Sequence, residues 1–200
     1  MKHTKHFTGM AFILSIILLA ACAGNKNMAQ TPGVFDQYGK EEQLNDPFLH
    51  GLQQQNDIVL AIATENTALG KRITYQVLAM KKGKWQGYKY VNSTRPVQIR
   101  TGDITVSKTA CDSVIQFLKQ IEVWKIRDNA GKSNCNAVIN DGSNWHLLII
   151  TPTKVTRSAF YEPQFYQEHC PDASRQLFLD ATNKIKQVFD HSAPANSTDQ

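Results

Sequence analysis

The chain has 200 residues, 42% hydrophobic and 20% charged, with 22 Lys and Arg against 17 Asp and Glu for a net charge of +5. That composition excludes collagen-like, low-complexity and wholly disordered chains, and the length allows one domain with a tail. At the N-terminus Lys2 and Lys5 precede an uncharged run, Met10–Ala21 (MAFILSIILLAA). As a helix this run rises about 18 Å, short of the roughly 30 Å bilayer core, so residues 1–21 read as a signal peptide rather than a spanning helix.

The run ends at Leu19-Ala20-Ala21-Cys22. Small residues before a cysteine suit the narrow subsites of a peptidase, and the Cys22 thiol is a natural acceptor for a diacylglycerol group. A basic start, a short apolar core, small residues and a cysteine at this distance together resemble the lipobox of bacterial lipoproteins. The resemblance implies cleavage before Cys22, lipidation of its thiol and anchorage to the membrane of the cell envelope. Ala23, rather than Asp, follows the cysteine. In a Gram-negative cell this implies the periplasmic face of the outer membrane. Loss of the signal peptide removes two lysines and no acid, which lowers the net charge from +5 to +3. So mild an excess calls for no nucleic-acid partner.

From residue 22 to 56 the chain is rich in Gln and Asn and is interrupted by Pro32, Gly33, Gly39, Pro47 and Gly51. It reads as a flexible tether. Val34, Phe35, Tyr38, Phe48 and Leu52 leave open the alternative that it docks on the body.

The body, residues 57–190, is long enough for one hydrophobic core. Ile58–Ala63 is a compact apolar run; after ENTALGK, residues 73–79 alternate with the period of two that marks a strand. Lys81-Lys82-Gly83-Lys84 predicts a hairpin turn into a third strand bearing Trp85, Tyr88 and Tyr90. Val97, Ile99, Ile104 and Val106 follow, with a bulge or turn expected at Thr101-Gly102-Asp103. Val114, Phe117, Leu118 and Ile121 then form one helical stripe, with Thr109 and Asp112 as a capping-box variant. Val123, Trp124 and Ile126 suggest a short extended piece. Beyond it, Cys135–Ile139 and the strand from Trp145 flank Asn140-Asp141-Gly142, a strong hairpin signal. Val155–Phe160 reads as another strand. Cys170-Pro171-Asp172 opens a last amphipathic helix with Leu177, Phe178, Ala181, Ile185, Val188 and Phe189 buried. Residues 191–200 carry no apolar period and read as a disordered tail. The fold class is α+β: a mostly antiparallel sheet with two amphipathic helices on one face.

With Cys22 lipidated, Cys111, Cys135 and Cys170 remain, and an exported compartment permits one disulfide among them. Cys135–Cys170 is the favoured pair, because both sit at loop junctions whereas Cys111 lies in the first turn of a helix. A thiol nucleophile at Cys111 is the sharper reading and simple packing the plainer one.

No metal-ligand spacing, phosphate loop, dinucleotide fingerprint or nucleophile-elbow motif is present, so the sequence implies no cofactor and no metal. Two histidines fall within the body. His146 lies on a strand, and His169 sits between Glu168 and Cys170 with Glu162 near in sequence. Lys81, Lys82 and Lys84 with Trp85 and Tyr88 form a candidate binding surface for anionic glycans, phospholipid head groups or an acidic protein. The second half, with Cys135, Asp141-Gly142, Trp145-x-Leu147, Pro163 and Cys170, loosely resembles small domains of bacterial envelope lipoproteins to which no activity attaches.

The leading expectation is a non-enzymatic, membrane-anchored interaction domain that binds a protein or cell-wall component, one version being an immunity protein against a toxin. The alternatives are an envelope hydrolase using His146 or His169 with an acid, and a structural lipoprotein. A pocket where His and carboxylates converge favours the enzyme; a broad apolar patch rimmed by charge favours a protein partner.

Overall fold

The protein is seen in a computed structural model that describes residues 31–42, 44–66, 72–94, 97–128 and 135–192, without the side chains of 31, 32, 94 and 97–101. The signal peptide, Cys22 and the tail beyond Ser192 lie outside the described residues. Those from Pro32 onward belong to one unit. Its elements are α1 (Thr31–Tyr38), α2 (Pro47–Gln55), β1 (Ile58–Asn66), β2 (Arg72–Lys81), β3 (Lys84–Thr94), β4 (Val97–Ile104) and α3 (Lys108–Gln120). After a 3₁₀ turn at Val123–Lys125 come β5 (Ser143–Ile150), β6 (Val155–Tyr161), α4 (Pro163–His169) and α5 (Ala173–Asp190). Among the described residues no helix is long and apolar enough to cross a membrane.

The six strands form one antiparallel sheet in the order β4-β3-β2-β1-β5-β6. The chain meanders outward from β1 to β4, then crosses the sheet to place β5 on the other side of β1. The fold is α+β, as the residue pattern predicts. The β2–β3 hairpin closes where expected, with Lys81 opposite Lys84 and positive φ at Lys82 (50°) and Gly83 (74°). Both central residues then follow the sheet twist, as a type I′ turn requires.

Alternation sorts the strands into two faces. The first carries Ile58, Leu60, Ile62, Leu78, Met80, Leu147, Ile149 and Phe160. The amphipathic helices α3 and α5 cover it with Val114, Leu118, Phe178, Ile185 and Phe189, in agreement with two helices on one face. Phe160 meets Phe178 with ring centroids 4.8 Å apart. The second face carries Val59, Ala61, Ala63, Val77, Ala79, Leu148 and Ile150. A third helix, α2, lies there.

That helix corrects the reading of residues 22–56 as a flexible tether: from Phe35 onward the described residues of the segment are folded onto the body. Phe35 is 1% exposed, Leu49 2% and Leu52 8%. Asp46 caps α2, its Oδ1 accepting the N–H groups of Phe48 (2.9 Å) and Leu49 (3.1 Å), and Pro47 takes the first helical position. Such a cap is worth about 1 kcal/mol. Small alanines on β1 and β2 leave room for Leu49 and Leu52, whose burial offsets the entropy of ordering the segment. Residues 22–30 of that segment lie outside the described residues.

Other local expectations also change. Residues 135–139 form no strand, so Asn140-Asp141-Gly142 closes no hairpin. Asp141 has φ 58°, the Gly142 N–H donates to the Tyr161 hydroxyl (2.8 Å) and the Ser143 N–H to the Glu162 carboxylate. A Cβ on Gly142 would press on the side chains of Glu162 and Tyr161, so close approach to the end of β6 favours glycine here. Ser107, not Thr109, caps α3, because its Oγ reaches the Ala110 N–H (3.4 Å). β4 pairs with β3 without a break from Val97 to Ile104, and Val123–Lys125 winds as a 3₁₀ turn rather than extending.

If residues 31–56 are part of the core, Leu49→Ala destabilises the protein by about 2–5 kcal/mol in urea unfolding. A change within about 0.5 kcal/mol, as at an unattached position, would restore the flexible tether through this segment.

Candidate ligand cleft

The structure divides the surface expected from Lys81, Lys82, Lys84, Trp85 and Tyr88. The three lysines share the exposed tip of the β2–β3 hairpin. Trp85 turns to the first face, where its Nε1 donates to the Asp112 carboxylate of α3 (2.9 Å). Tyr88, three residues on, points to the opposite face and meets Phe48 edge-on at 5.6 Å. An odd spacing on a strand forces that separation, so the two aromatics cannot back one surface.

Cys135 and Cys170 form a disulfide with Cα atoms 5.7 Å apart, the favoured pair. Cys111 lies on the buried face of α3, and burial pushes its thiol up to about 12, with the Asp112 carboxylate adding to the rise. The thiolate, the nucleophilic form, is scarcely populated at neutral pH. His169 stacks on Phe165 at 4.2 Å and its Nδ1 lies 2.8 Å from the Phe165 carbonyl, while the Glu162 carboxylate holds the Ser143 N–H. With Cys170 in the disulfide, these residues do not converge. Among the described residues no three His, Cys, Asp or Glu side chains come together as a metal site.

His146 has the more consequential surroundings. It stands on the second face opposite Ala63, and Glu65 lies on the same face of β1 two residues further along. The small Ala63 leaves the space between them open, and His146 Nε2 comes within 3.5 Å of Glu65 Oε2. On the neighbouring strand Arg157 pairs opposite Leu148, and its guanidinium meets Glu42 at 2.6 Å. These groups line a cleft of about 320 Å³, closed by Ile73, Tyr75, Asn92, Asp46 and Leu49.

Asp46 secures one wall. Besides capping α2, it accepts a hydrogen bond from Asn92 Nδ2 (3.4 Å) and from the hydroxyls of Tyr75 and Tyr90. Burial raises both phenols above their ordinary 10, and the Asp46 carboxylate reinforces the rise. They stay protonated and donate, which ties α2 to the sheet and leaves Glu42, Glu65, His146 and Arg157 as the candidate ligand-facing groups.

The imidazole of His146 is held below its ordinary 6.5, chiefly by burial; Glu65 pulls the other way and Arg157 adds to the depression. It is uncharged at neutral pH, so among the described residues the cleft lining carries one cation, Arg157, beside carboxylates. Sequence reasoning named His146 but not its partner. Glu65 lies on a strand far away in sequence, and only the β1–β5 register brings the two together.

The sign of each influence is testable by NMR titration. His146 titrates below 6.5, Glu65→Gln moves it lower still, and Arg157→Gln moves it up. An unfolded chain takes up this proton near 6.5 while the folded imidazole resists it. The stability contributed by His146 is therefore present above that pH and falls as acid carries the solution down towards the folded value. An unchanged His146 titration in Glu65→Gln would separate the pair.

Comparison with protein-family models and with curated proteins finds no match to this chain.

Proposed function

We propose that the protein is a lipoprotein of the bacterial cell envelope, anchored through Cys22, whose folded body binds a small zwitterionic ligand in the Glu65–His146–Arg157 cleft. The ligand class is an amino acid or short peptide with free termini, of the kind a cell wall contains. The observation that supports this is the placement of opposite charges in one cleft: the Arg157 guanidinium, paired with Glu42, and the Glu65 carboxylate beside an uncharged His146. A ligand carboxylate takes the Arg157 guanidinium bidentately, and its ammonium takes the Glu65 carboxylate. The Arg157–Glu42 pair is 43% and 36% exposed at the side chain. Pairs so open to water contribute little, so exchange of Glu42 for a ligand carboxylate costs little. Among the described residues the large exposed apolar side chains are Tyr38 and Val138. A cleft ligand therefore has more support than an immunity-type contact over a broad apolar patch.

A hydrolase is the second reading, favoured by the neutral imidazole beside a carboxylate, the arrangement of a general base activating water. The 3.5 Å separation is longer than the 2.7–3.2 Å or so of a hydrogen bond that would orient the ring, and binding takes precedence.

Two measurements test the proposal. Membrane fractionation is expected to find wild type attached and Cys22→Ala released; retention of the variant would refute the anchor. In ligand titrations followed at His146, glycylglycine is expected to bind, and its N-acetylated or amidated forms to bind roughly tenfold more weakly or worse, the cost of losing one charge-assisted contact. Equal affinity for blocked and free peptides would refute the zwitterion site. Cleavage of peptide lost in His146→Gln would establish the hydrolase instead.

A further inference from the structure

The sheet has two chemically different ends. At one, β1 begins: Ile58 lies opposite Met80, Val59 opposite Ile150, and Ile150 opposite Val155. The β2–β3 hairpin with Lys81, Lys82 and Lys84, and the β5–β6 turn with Lys154, therefore share that end. Residues 31–40 dock there too. The Asp36 carboxylate accepts from the hydroxyls of Thr151 and Thr153, and Lys40 pairs through its backbone with Val155. Five lysines thus gather at this end. The acids Asp36, Glu41 and Asp57 are engaged there, Glu41 with Lys154 at 2.9 Å and Asp57 with the backbone N–H of Lys82 at 2.6 Å. Tyr38, 47% exposed, lies flat on Trp124 with ring centroids 4.6 Å apart. At the other end stand Glu65, Asn66 and Arg72, with the ligand cleft beside Glu65. Val59 and Asn66 are about 24 Å apart along β1.

The place where the chain enters the folded body bears on which end meets the membrane. From Cys22 to Thr31 a fully extended chain reaches about 30 Å, and α1, eight residues long, adds roughly 12 Å. The chain enters the folded body at the end that receives α1, so an anchor at Cys22 favours that end towards the bilayer, and the lysines there add to the bias.

On the anchored-lipoprotein reading, we infer that the lysine-bearing end of the sheet, with Tyr38 and Trp124 at its margin, is a membrane-facing surface that takes anionic phospholipid head groups and turns the cleft away from the bilayer. Lipid attachment and a basic cluster act together in firm anchoring, and each lysine near an anionic surface adds attraction that salt weakens. Tyr and Trp suit the same layer, where an aromatic body meets lipid and a polar edge meets water.

The test uses the lipidated chain on vesicles of three parts phosphatidylcholine to one part phosphatidylglycerol. Nitroxide labels are placed at Tyr38→Cys and, at the far end, Arg72→Cys. Relaxation by oxygen, which concentrates in lipid, is compared with relaxation by a water-soluble nickel chelate. The expected ratio of the two effects is severalfold higher at position 38 than at 72. Replacing Lys81, Lys82 and Lys84 together by Gln, or omitting phosphatidylglycerol, should bring the two positions together. Equal ratios on the anionic vesicles, with the protein still attached through Cys22, would overturn the membrane face and leave the lipoprotein reading standing. Attachment that survives Cys22→Ala would instead overturn that reading, and with it the short-tether argument.

Discussion

The structure depends on β1 being covered on both faces. Ile58 to Ala63 are all buried, odd residues against one layer and even residues against the other. A strand so apolar cannot leave either side to water, since each exposed aliphatic side chain forgoes roughly 1.5–3 kcal/mol. Two layers of helix follow from that requirement. The first is supplied by α3 and α5, whose amphipathic stripes match the large residues of one face. The second is supplied by α2, a short helix that approaches closely because alanines line the other. The crossing of the chain from β4 to β5 serves the same end, since it flanks β1 on both edges and spares it from being an edge strand.

Helix α2 is too short to cover the whole second face, and the proposed ligand cleft lies in that shortfall. Where α2 covers the sheet, the face is aliphatic; beyond its N-terminus the same face turns polar, with Glu65, His146 and Arg157 replacing alanine, leucine and valine. Asp46 stands at the boundary. It ends the covered region by capping the helix and opens the uncovered one by holding Asn92, Tyr75 and Tyr90. The half-buried setting keeps His146 neutral, so the charge of the cleft lies on Arg157 and the carboxylates.

The proposed anchor acquires its significance from the same helices. On the proposed anchoring, the chain between Cys22 and the folded residues spans at most about 30 Å. A long tether would leave the domain free to turn at any angle, whereas a short one couples its orientation to the surface on which it is held. The lysine hairpin, offered by the sequence as one surface with Trp85 and Tyr88, loses both aromatics to opposite faces of the sheet. It gains in their place the other lysines at its own end.

Much of the architecture was legible in the residues. Period-two alternation marked the strands, the 3.6-residue stripes of α3 and α5 marked the helices, Lys82-Gly83 marked a turn that needs positive φ, and loop junctions singled out Cys135 and Cys170. Residues 31–56 were legible only in part. Asp46-Pro47 is a good helix start, and the unbroken apolar run of β1 already demanded a second covering layer, but Gly51 and the glutamines weakened the local pattern. At Asn140-Asp141-Gly142 a strong hairpin signal yielded to contact with Tyr161 and Glu162. The candidate site was the least legible, because Glu65, His146 and Arg157 meet only through strand register. By itself the sequence determined which segments must be buried and which turns their backbones permit, since burial and φ preference belong to individual residues. Which charges become neighbours, and which end of the sheet receives α1, was decided by the tertiary structure alone, because pairing across strands depends on both partners at once.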